Sequence, residues 1–373
     1  MKVKLIYIVC NIDKANEFEW LIDSLNHTKY ELSFVSIHTH QETALSVYCA
    51  EHKIPFYHIH YASKKNILRA IFQLYKLLRT LKPSIVHAHL FEGGLIGITA
   101  AWLAKIKHRI YTRHYSNYHH KYFPNGLKYD KWINSKSTHI VSISKLVSSI
   151  LIDKERVNPA KVSLIHHGLK FDTFQHIDQS RIDVVKEKHH IPANKTIIGV
   201  VSRYIELKGL QYIIPAFKKY NQENPNSHLV LANAKGDYAG VVHQLLQTLP
   251  KDSCTEIEFE NDNAALFKSF DVFIHAPIDN ESEAFGQIYI EAFLAEVPCI
   301  FSLSGVANEI VEDGVNALVV PYQNSEAIYN SLIELVKDAD LQQKLVQNGK
   351  QTASRFTFDR KLKDSESLYS SLL

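Results

Sequence analysis

Two glutamates eight positions apart, Glu283 and Glu291, occur in the segment ESEAFGQIYIEAFLAEVPCI at positions 281–300. Gly286 between them permits a tight turn into a helix, and Gln287 precedes Glu291 by one turn on the same helix face. A loop carboxylate, together with backbone amides at a helix entrance, can hold a sugar and a phosphate. A helix carboxylate can accept both hydroxyls of a ribose, because its two oxygens suit two adjacent donors. An amphipathic helix with incidental acids is the alternative interpretation.

A pair of cations follows another apolar run, in the segment VVSRYIELKGL. Arg203 comes directly after the predicted strand, and Lys208 with Gly209 opens the next helix. This placement favours an anion site, because free backbone N–H groups and the helix dipole add to the side-chain charge. A solvated arginine and lysine on a loop is the alternative. The sequence has no G-x-x-x-x-G-K-[ST] segment, which disfavours a nucleoside triphosphatase.

The elements that must position these residues alternate between strand-length apolar runs and helix-length segments. This alternation predicts an α/β fold in which helices cover parallel sheets, and a length of 373 residues suits two domains. A second series of strands begins near residue 196, after a polar, mixed stretch at 151–194 in which VNPAKVSLIHHGLKFDTF is the predicted crossover. The predicted strands are KLIYIVC, ELSFVSIH, IPFYHIH, SIVHAHL, HRIYTRH and THIVSIS, followed by TIIGVVS, HLVLANA, EIEFE, DVFIHA, PCIFSL and ALVVP.

Polar segments follow the predicted strands in both halves of the chain. Ligands of open parallel sheets bind beyond the carboxyl ends of the strands, so these loops are the candidate sites. The segments are Asp13 to Asn16, Phe91 to Gly94, His114, Arg203 to Lys208 and Glu283 to Gly286. Two doubly wound domains whose strand ends face a shared cleft would bring them together.

Taken together, the segments SRYIELKGL and EAFGQIYIEA resemble the retaining GT-B glycosyltransferases of family 4, the second through its E-x7-E pattern. The resemblance covers nearly the whole chain, with weaker matches at SIVHAHLFEGG, RIYTRHYS, THIVSISKLVSSIL, VSLIHHGLKFDTF and SGVANEIVEDGVNALVV. It implies two Rossmann-like, doubly wound parallel-sheet domains facing a central cleft. The acceptor-side domain would be 1–168 and the nucleotide-sugar domain 169–355. The closing segment 356–373 resembles the family's last helix, which packs back on the first domain.

The resemblance also implies roles for the chemistry-bearing residues. Arg203 and Lys208 would bind the donor diphosphate. Glu283 would contact hydroxyls of the transferred sugar, and Glu291 would hold the nucleotide ribose. His114 matches the family's histidine at the end of a first-domain strand and would line the sugar pocket near the anomeric carbon. The candidate catalytic residues are therefore His114, Arg203, Lys208 and Glu283.

The rest of the donor site would be main chain, and the acceptor side departs from the family. Backbone amides around Phe285, Gly286 and Gln287 would serve the sugar and phosphate. The family's glycine-rich loop after the first strand is replaced here by NIDKANEFEW, which has no glycine. The acceptor-side candidates are Asp13, Lys14, Asn16, His89 and Glu92.

The composition, with 46% hydrophobic and 22% charged residues, is that of a globular protein, and a net charge of +3 does not indicate nucleic acid. Four dispersed cysteines predict reduced thiols in a cytoplasmic protein. The apolar start is too short for a signal peptide, and later runs fall short of the roughly 20 residues of a spanning helix.

His87 and His89 share a strand face and could chelate a metal ion, but no third ligand accompanies them. We predict structural or substrate-lining histidines, no metal, and no cofactor besides a nucleotide-sugar co-substrate.

One stretch of the first half is strongly basic. Residues 54–128 contain twelve lysines and arginines and a single acid, Glu92. The segment 64–82 predicts a basic amphipathic helix, and YTRHYSNYHHKYF interleaves aromatic and positive side chains. A solvated helix face is one interpretation. The other is a surface for anionic lipid or a polyprenyl-phosphate-linked acceptor at the inner face of the membrane.

Together with the resemblance, these features predict a hexosyltransferase that uses a nucleotide-linked sugar, with UDP favoured over GDP, and a hydroxyl acceptor in cell-surface polysaccharide or glycolipid synthesis. Retention and metal independence are what the resemblance implies. A UDP-sugar 2-epimerase is an alternative, because it shares the two-domain architecture. A degenerate homologue that acts as a partner protein is a second alternative, because the first glycine-rich loop is missing. The acids and cations of the donor constellation favour the transferase.

Overall fold

The computed structural model of the protein describes residues 2–373. The chain divides into two compact units. The first unit runs to Leu169 and includes Thr357–Leu373, and the second unit is Lys170–Phe356. These limits lie one residue from the boundaries that the sequence suggested.

The first unit is built on a seven-stranded parallel sheet in the order β3-β2-β1-β4-β5-β6-β7. β4 is buried at every position, as expected for a strand whose two faces are both covered by helices. The strand order reverses between β1 and β4, so the loops after these strands flank the switch point of the sheet. The strands are β1 Val3–Cys10, β2 Tyr30–His38, β3 Phe56–His60, β4 Ile85–His89, β5 His108–Arg113, β6 His139–Ser142 and β7 Val162–Leu164.

The helices of the first unit include one from the far end of the chain. The last helix, α16 (Phe358–Leu372), shares a buried cluster with β1 and β2 through Phe358, Leu362, Leu368 and Tyr369. A 3₁₀ turn, Lys64–Asn66, precedes α3, and a π-helical turn, Ile150–Lys154, follows α7. The other helices are α1 Asn16–Ser24, α2 Ala44–Glu51, α3 Ile67–Leu81, α4 Phe91–Leu103, α5 Tyr118–Lys121, α6 Leu127–Lys136 and α7 Lys145–Ser149.

The second unit repeats this architecture with six parallel strands in the order β10-β9-β8-β11-β12-β13. Its switch point lies between β8 and β11. The strands are β8 Thr196–Val201, β9 Ser227–Ala232, β10 Cys254–Ile257, β11 Val272–His275, β12 Cys299–Phe301 and β13 Leu318–Val319. The helices are α8 Gln179–Lys188, α9 Leu210–Glu223, α10 Ala239–Leu246, α11 Asn263–Lys268, α12 Gln287–Leu294, α13 Ala307–Ile310, α14 Ser325–Lys337 and α15 Ala339–Ala353.

The structure differs from the sequence interpretation at four places. The stretch taken as a crossover contains β7, a strand of three residues with none fully buried, so it has no apolar signature. Phe91 to Gly94 is the first turn of α4 and not a loop, and Asn16 is already the first residue of α1. β10 begins two residues before the predicted EIEFE and ends at Ile257, because this edge strand has little apolar periodicity.

Three further observations concern features that the sequence singled out. Cys10, Cys49 and Cys299 are buried free thiols, and Cys254 is a half-buried one. Within residues 2–373 no group of three or more His, Cys, Asp or Glu side chains is arranged to hold a metal ion. None of the described helices is long and apolar enough to cross a bilayer.

Candidate active site

The loop after β8 carries both predicted cations. Lys208 ends a 3₁₀ turn, and Gly209 then takes a left-handed conformation, φ +74°, at the N-cap of α9. The Lys208 ammonium donates to Oε1 of Glu283 across the switch point of the sheet. The Arg203 guanidinium is exposed and makes no hydrogen bond or ion pair with another described residue. The loop therefore presents one cation that is held and one that is free.

Glu283 is enclosed by polar contacts. Its Oε1 also accepts a hydrogen bond from Nε2 of His275 at 2.9 Å, and its N–H donates to Oγ of Ser304 at 2.9 Å. Burial acts to raise the pKa of Glu283, but the Lys208 ammonium and the His275 ring outweigh it and lower the pKa to about 2. The carboxylate is therefore ionised at neutral pH. Its second oxygen, Oε2, has no partner within residues 2–373 and can accept from a hydroxyl.

Glu291 lies on α12, which begins directly after the Gly286 turn. Gly286 is the N-cap at φ +81°, and no side chain caps the N–H groups of the first turn. Gln287 donates from Nε2 to Oε1 of Glu291 at 3.4 Å, so the two share a helix face as the spacing predicts. Phe285, just before the turn, is buried. Burial raises the pKa of Glu291 to about 7. This entrance can offer N–H donors to an anion and carboxylate oxygens to hydroxyl groups.

In the first unit, His114 follows β5 and contacts other histidines at strand ends. Its Nε2 lies 3.1 Å from Nδ1 of His89, and its ring stacks on His167 with centroids 5.4 Å apart. Burial lowers the pKa of His114 to about 3, and His167 contributes in the same direction. His114 is therefore a neutral imidazole at physiological pH, with one donor and one acceptor nitrogen.

The groups that hold this histidine cluster were not predicted from the sequence. Nδ1 of His167 lies 3.0 Å from a carboxylate oxygen of Glu17 on α1, and Glu17 also pairs with Lys361 of α16. Burial acts to raise the pKa of Glu17, but Lys361 and His167 outweigh it and keep the pKa well below its usual range. A cavity of about 30 Å³ lies beside the cluster, where Nε2 of buried His89 has no hydrogen-bond partner. That space can hold a buried water.

The five acceptor-side candidates differ in what they contact. Asp13 accepts an N–H at the start of α2 at 3.0 Å, so it has a structural role as a cap. Glu92, in the first turn of α4, accepts from an asparagine after β1 at 3.1 Å and from a tyrosine after β3 at 3.2 Å. His89 is 3% exposed and contacts His114, so it lies behind the surface. Lys14 and Asn16 are exposed at the loop after β1 and the start of α1.

The basic stretch of the first unit carries an unusual share of exposed apolar side chains. Of the sixteen large hydrophobic side chains that are exposed within residues 2–373, nine lie between positions 68 and 132. They are Leu68, Phe72, Trp102, Leu103, Tyr118, Tyr122, Phe123, Tyr129 and Trp132. Together with the exposed cations Lys64, Lys65, Arg69, Lys76 and Lys128, they form what we call the basic–aromatic face.

The helices that carry this face are neighbours, because α3 packs against α4 and α4 packs against α6. Cations lie over its rings: Lys64 is 5.3 Å from the Phe123 centroid, and Lys136 is 4.4 Å from that of Trp102. Positions 54–136 contain only two acids. One is the hydrogen-bonded Glu92, and the other is Asp130, which is 1% exposed and bonded to a histidine. The face therefore combines positive charge and apolar rings with no exposed carboxylate.

Comparison with known families covers both units. Residues 182–352 match the family described as Glycosyl transferases group 1, and residues 21–173 match Glycosyltransferase Family 4. The protein is a family 4 glycosyltransferase. The two matches cover β2 to β7 of the first unit and all six strands of the second unit. Arg203, Lys208, Glu283 and Glu291 lie within the second of these regions.

Several curated glycosyltransferases are similar to this transferase over most of their length. The capsular polysaccharide biosynthesis glycosyltransferase CapM of Staphylococcus aureus is 26% identical over 82% of this chain and 81% of its own. The alpha-monoglucosyldiacylglycerol synthase of Acholeplasma laidlawii is 23% identical over 94% of this chain and 91% of its own. The UDP-Gal:alpha-D-GlcNAc-diphosphoundecaprenol alpha-1,3-galactosyltransferase of Escherichia coli is 23% identical over 73% and 71%.

Solved structures establish the fold. HepE of Anabaena, crystallised with UDP, has a TM-score of 0.81 at 18% identity, covering 100% of both chains. WaaG, a glycosyltransferase involved in lipopolysaccharide biosynthesis, has a TM-score of 0.73 at 12% identity, covering 98% of this chain and 99% of its own. The transferase therefore has the GT-B fold, as its sequence predicted.

Proposed function

We propose that this transferase moves a hexose-type sugar from a UDP-linked donor to a hydroxyl acceptor, with retention of the anomeric configuration. The acceptor belongs to a cell-surface polysaccharide or glycolipid in assembly. The observation that carries the proposal is the Lys208–Glu283 ion pair at the switch point of the second sheet, with exposed Arg203 on the same loop as Lys208. It places a free cation, a paired cation and an ionised acid at the edge where α/β sheets bind ligands.

The proposed chemistry is the breakage of the bond between the sugar and the diphosphate. The sugar gains oxocarbenium character while negative charge grows on the departing diphosphate. Arg203 and Lys208 would stabilise that charge, since fixed cations in a partly dry site act more strongly on the transition state than on the ground state. With two cations in this role, the proposal includes no metal and no cofactor. Retention would follow from attack by the acceptor on the face that the diphosphate leaves.

Each remaining candidate has a part in holding the donor. Oε2 of Glu283 would accept from sugar hydroxyls, and Glu291 would accept from the ribose. The backbone amides around Phe285, Gly286 and Gln287, at the entrance to α12, would donate to phosphate and sugar oxygens. His114, as a neutral imidazole, would hydrogen-bond the sugar near its anomeric carbon.

The choice of UDP rests on similar proteins. HepE has been crystallised with UDP-glucose, and the relative from Escherichia coli is named for UDP-Gal. Those two proteins support a uridine nucleotide here, whereas the identity of the sugar is left to experiment.

The proposed acceptor is lipid-linked, and the basic–aromatic face would hold the enzyme at the cytoplasmic surface of an anionic membrane. Each basic residue near such a surface contributes roughly 1 kcal/mol, and exposed aromatic rings favour the headgroup region. The names of two relatives, an alpha-monoglucosyldiacylglycerol synthase and a GlcNAc-diphosphoundecaprenol galactosyltransferase, support an acceptor of this class.

The test is a thermal-shift screen of UDP- and GDP-sugars, followed by an assay of transfer and donor hydrolysis with and without EDTA. A donor that binds only the folded state raises its stability, by about 2.7 kcal/mol at 100 times its Kd. We expect stabilisation by UDP-sugars and turnover that survives EDTA. Conversion of UDP-N-acetylglucosamine to its 2-epimer would instead identify an isomerase. Binding without any donor cleavage would identify a non-catalytic partner protein.

A further inference from the structure

Glu283 is held by two donors that converge on one oxygen. Lys208 and Nε2 of His275 both contact Oε1, the second at 2.9 Å. His275 is the last residue of β11 and is 1% exposed. Its ring packs edge-on against Tyr289 of α12, with centroids 5.0 Å apart and an interplanar angle of 79°. The histidine is therefore fixed by the sheet on one side and by α12 on the other.

The charge and tautomer of His275 follow from its contacts. Burial lowers its pKa, so the ring is neutral at physiological pH. Ionised Glu283 can only accept, so the ring proton must be on Nε2. Nδ1 is then an unprotonated acceptor, in agreement with its lack of a partner among the described residues. His275 can thus donate one neutral, directional hydrogen bond to Glu283.

Lys208 and His275 differ in whether they can move away from Glu283. Under the proposed function, Lys208 must turn toward the donor diphosphate, and its side chain is 16% exposed. His275 cannot follow, because it is part of the strand and of the packing beneath α12. A carboxylate that lost its only other partner would become free to rotate and easier to protonate.

We propose that His275 is a positioning residue that keeps Glu283 oriented and ionised while Lys208 engages the donor diphosphate. With Oε1 anchored, Oε2 remains directed to the sugar hydroxyls throughout the reaction. The inference rests on the proposed function, since it assigns a task within that donor site.

The test compares His275→Leu, which removes the donor, with His275→Gln, whose amide can replace the Nε2–H bond. His228→Leu is the matched control. His228 is a second buried histidine of the same sheet, with its own Nε2 bond to Thr255 and an unpartnered Nδ1. The measurements are kcat and KM for the fastest of UDP-glucose, UDP-galactose and UDP-N-acetylglucosamine, the Kd of UDP, and the pH dependence of kcat.

We expect His275→Leu to lower kcat at least tenfold while the Kd of UDP changes less than twofold. The groups around Glu283 are Lys208, His275, the Tyr289 phenol and the Ser304 hydroxyl. Lys208 and His275 are the two that donate to its carboxylate, so loss of the His275 bond should raise the pKa of Glu283. The acidic limb of the kcat profile should then move upward by about one pH unit. His275→Gln should recover most of the kcat, and His228→Leu should leave the limb in place. An unchanged limb, or a glutamine variant no better than leucine, overturns the inference.

Failure of the proposed function can be distinguished from failure of this inference, because the wild type would then cleave none of the three UDP-sugars. In that event, ¹⁵N NMR of the unliganded protein decides the inference. A neutral Nε2–H tautomer of His275 that is lost in Glu283→Leu, which has no acceptor, supports the hydrogen bond and its orienting role. A tautomer that is insensitive to that substitution overturns it.

Discussion

Glu283 and Glu291 share one motif but differ in charge environment. The pKa of Glu283 is lowered to about 2, because Lys208 and His275 outweigh the effect of burial, whereas burial raises the pKa of Glu291 to about 7. One acid is a permanent anion in the site. The other is poised to ionise when hydroxyl donors arrive, because hydrogen bonds to the charged form favour it.

This difference predicts a division of binding energy. Glu291→Ala should weaken free UDP at least tenfold, because the ribose is present in UDP. Glu283→Ala should weaken the UDP-sugar far more than UDP, because its proposed partner is the transferred sugar. Isothermal titration with both ligands measures the two ratios. Equal losses for both ligands in both variants would contradict the assignment.

Glu291 also predicts a pH-dependent stability. The folded protein binds the proton of Glu291 more tightly than the unfolded chain does, because the pKa is raised from 4.5 to about 7. The protonated side chain therefore contributes fully to the free energy of unfolding below about pH 4.5, and this contribution is lost as the pH rises through about 7. Glu291→Gln should therefore match the wild type near pH 4.5 and exceed it by about 2 kcal/mol at pH 8. Melting curves at both pH values test this, with exposed Glu312→Gln as control. A variant that is less stable at pH 8 would contradict it.

At the scale of elements, the loop that carries Glu283 is shaped by a neighbouring glycine. Gly305, at φ +58°, packs so closely that a Cβ there would lie 2.6 Å from the Phe285 carbonyl oxygen and 2.9 Å from Cβ of Glu283. The loop after β12 thus fixes the position of the loop after β11. Only a residue without a side chain permits that approach.

Gly305→Ala should therefore lower kcat/KM for the donor more than tenfold by displacing Glu283. Gly314→Ala is the matched control, since Gly314 has φ +65° but open space around its Cβ position. Both variants bear the backbone cost of a left-handed alanine, roughly 1 kcal/mol. Kinetics and melting temperatures separate that shared cost from the crowding. Equal activity in the two variants would contradict a shaping role for Gly305.

The same elements show what the sequence can and cannot reveal. The placement of Arg203, Lys208 and Glu283 after strands and of Glu291 on a helix was predictable, because strand–loop–helix order and spacing are local properties. His275 was not, because its partnership with Glu283 depends on where β11 ends and how α12 packs. Glu17 and Lys361 are far apart in the sequence, and only the return of α16 to the first unit brings them together. Long-range pairs of this kind leave no periodicity to detect.

At the scale of the whole molecule, charge and exposed rings are unevenly distributed. The basic–aromatic face contains nine of the sixteen exposed large hydrophobic side chains, whereas four of the sixteen lie in the second unit. Exposed hydrophobic side chains concentrated in one region of a protein surface indicate an interaction site. Attraction between this face and an anionic bilayer should be screened by salt, with a Debye length of about 10 Å at 0.1 M and about 3 Å at 1 M.

We predict that the protein sediments with anionic vesicles at low salt, but not with neutral ones. The triple variant Lys64→Glu, Lys65→Glu and Arg69→Glu should abolish this binding, and Leu68→Ser with Phe72→Ser should weaken it. Phe259→Ser, at a residue of the second unit that is 62% exposed, is the control. UDP affinity should be unchanged throughout. Absence of any vesicle preference at low salt would show that the face is merely solvated.

The central claim is that Arg203 and Lys208 stabilise the departing diphosphate of a nucleotide sugar. Its most direct test is cleavage of the UDP-sugar that binds best, by the wild type, Arg203→Ala and Lys208→Ala. Loss of one preorganised group costs about 3 kcal/mol in the barrier, so each variant should lose at least 100-fold in kcat/KM while its melting temperature stays close to that of the wild type. Turnover near the wild-type rate in either variant would contradict the account.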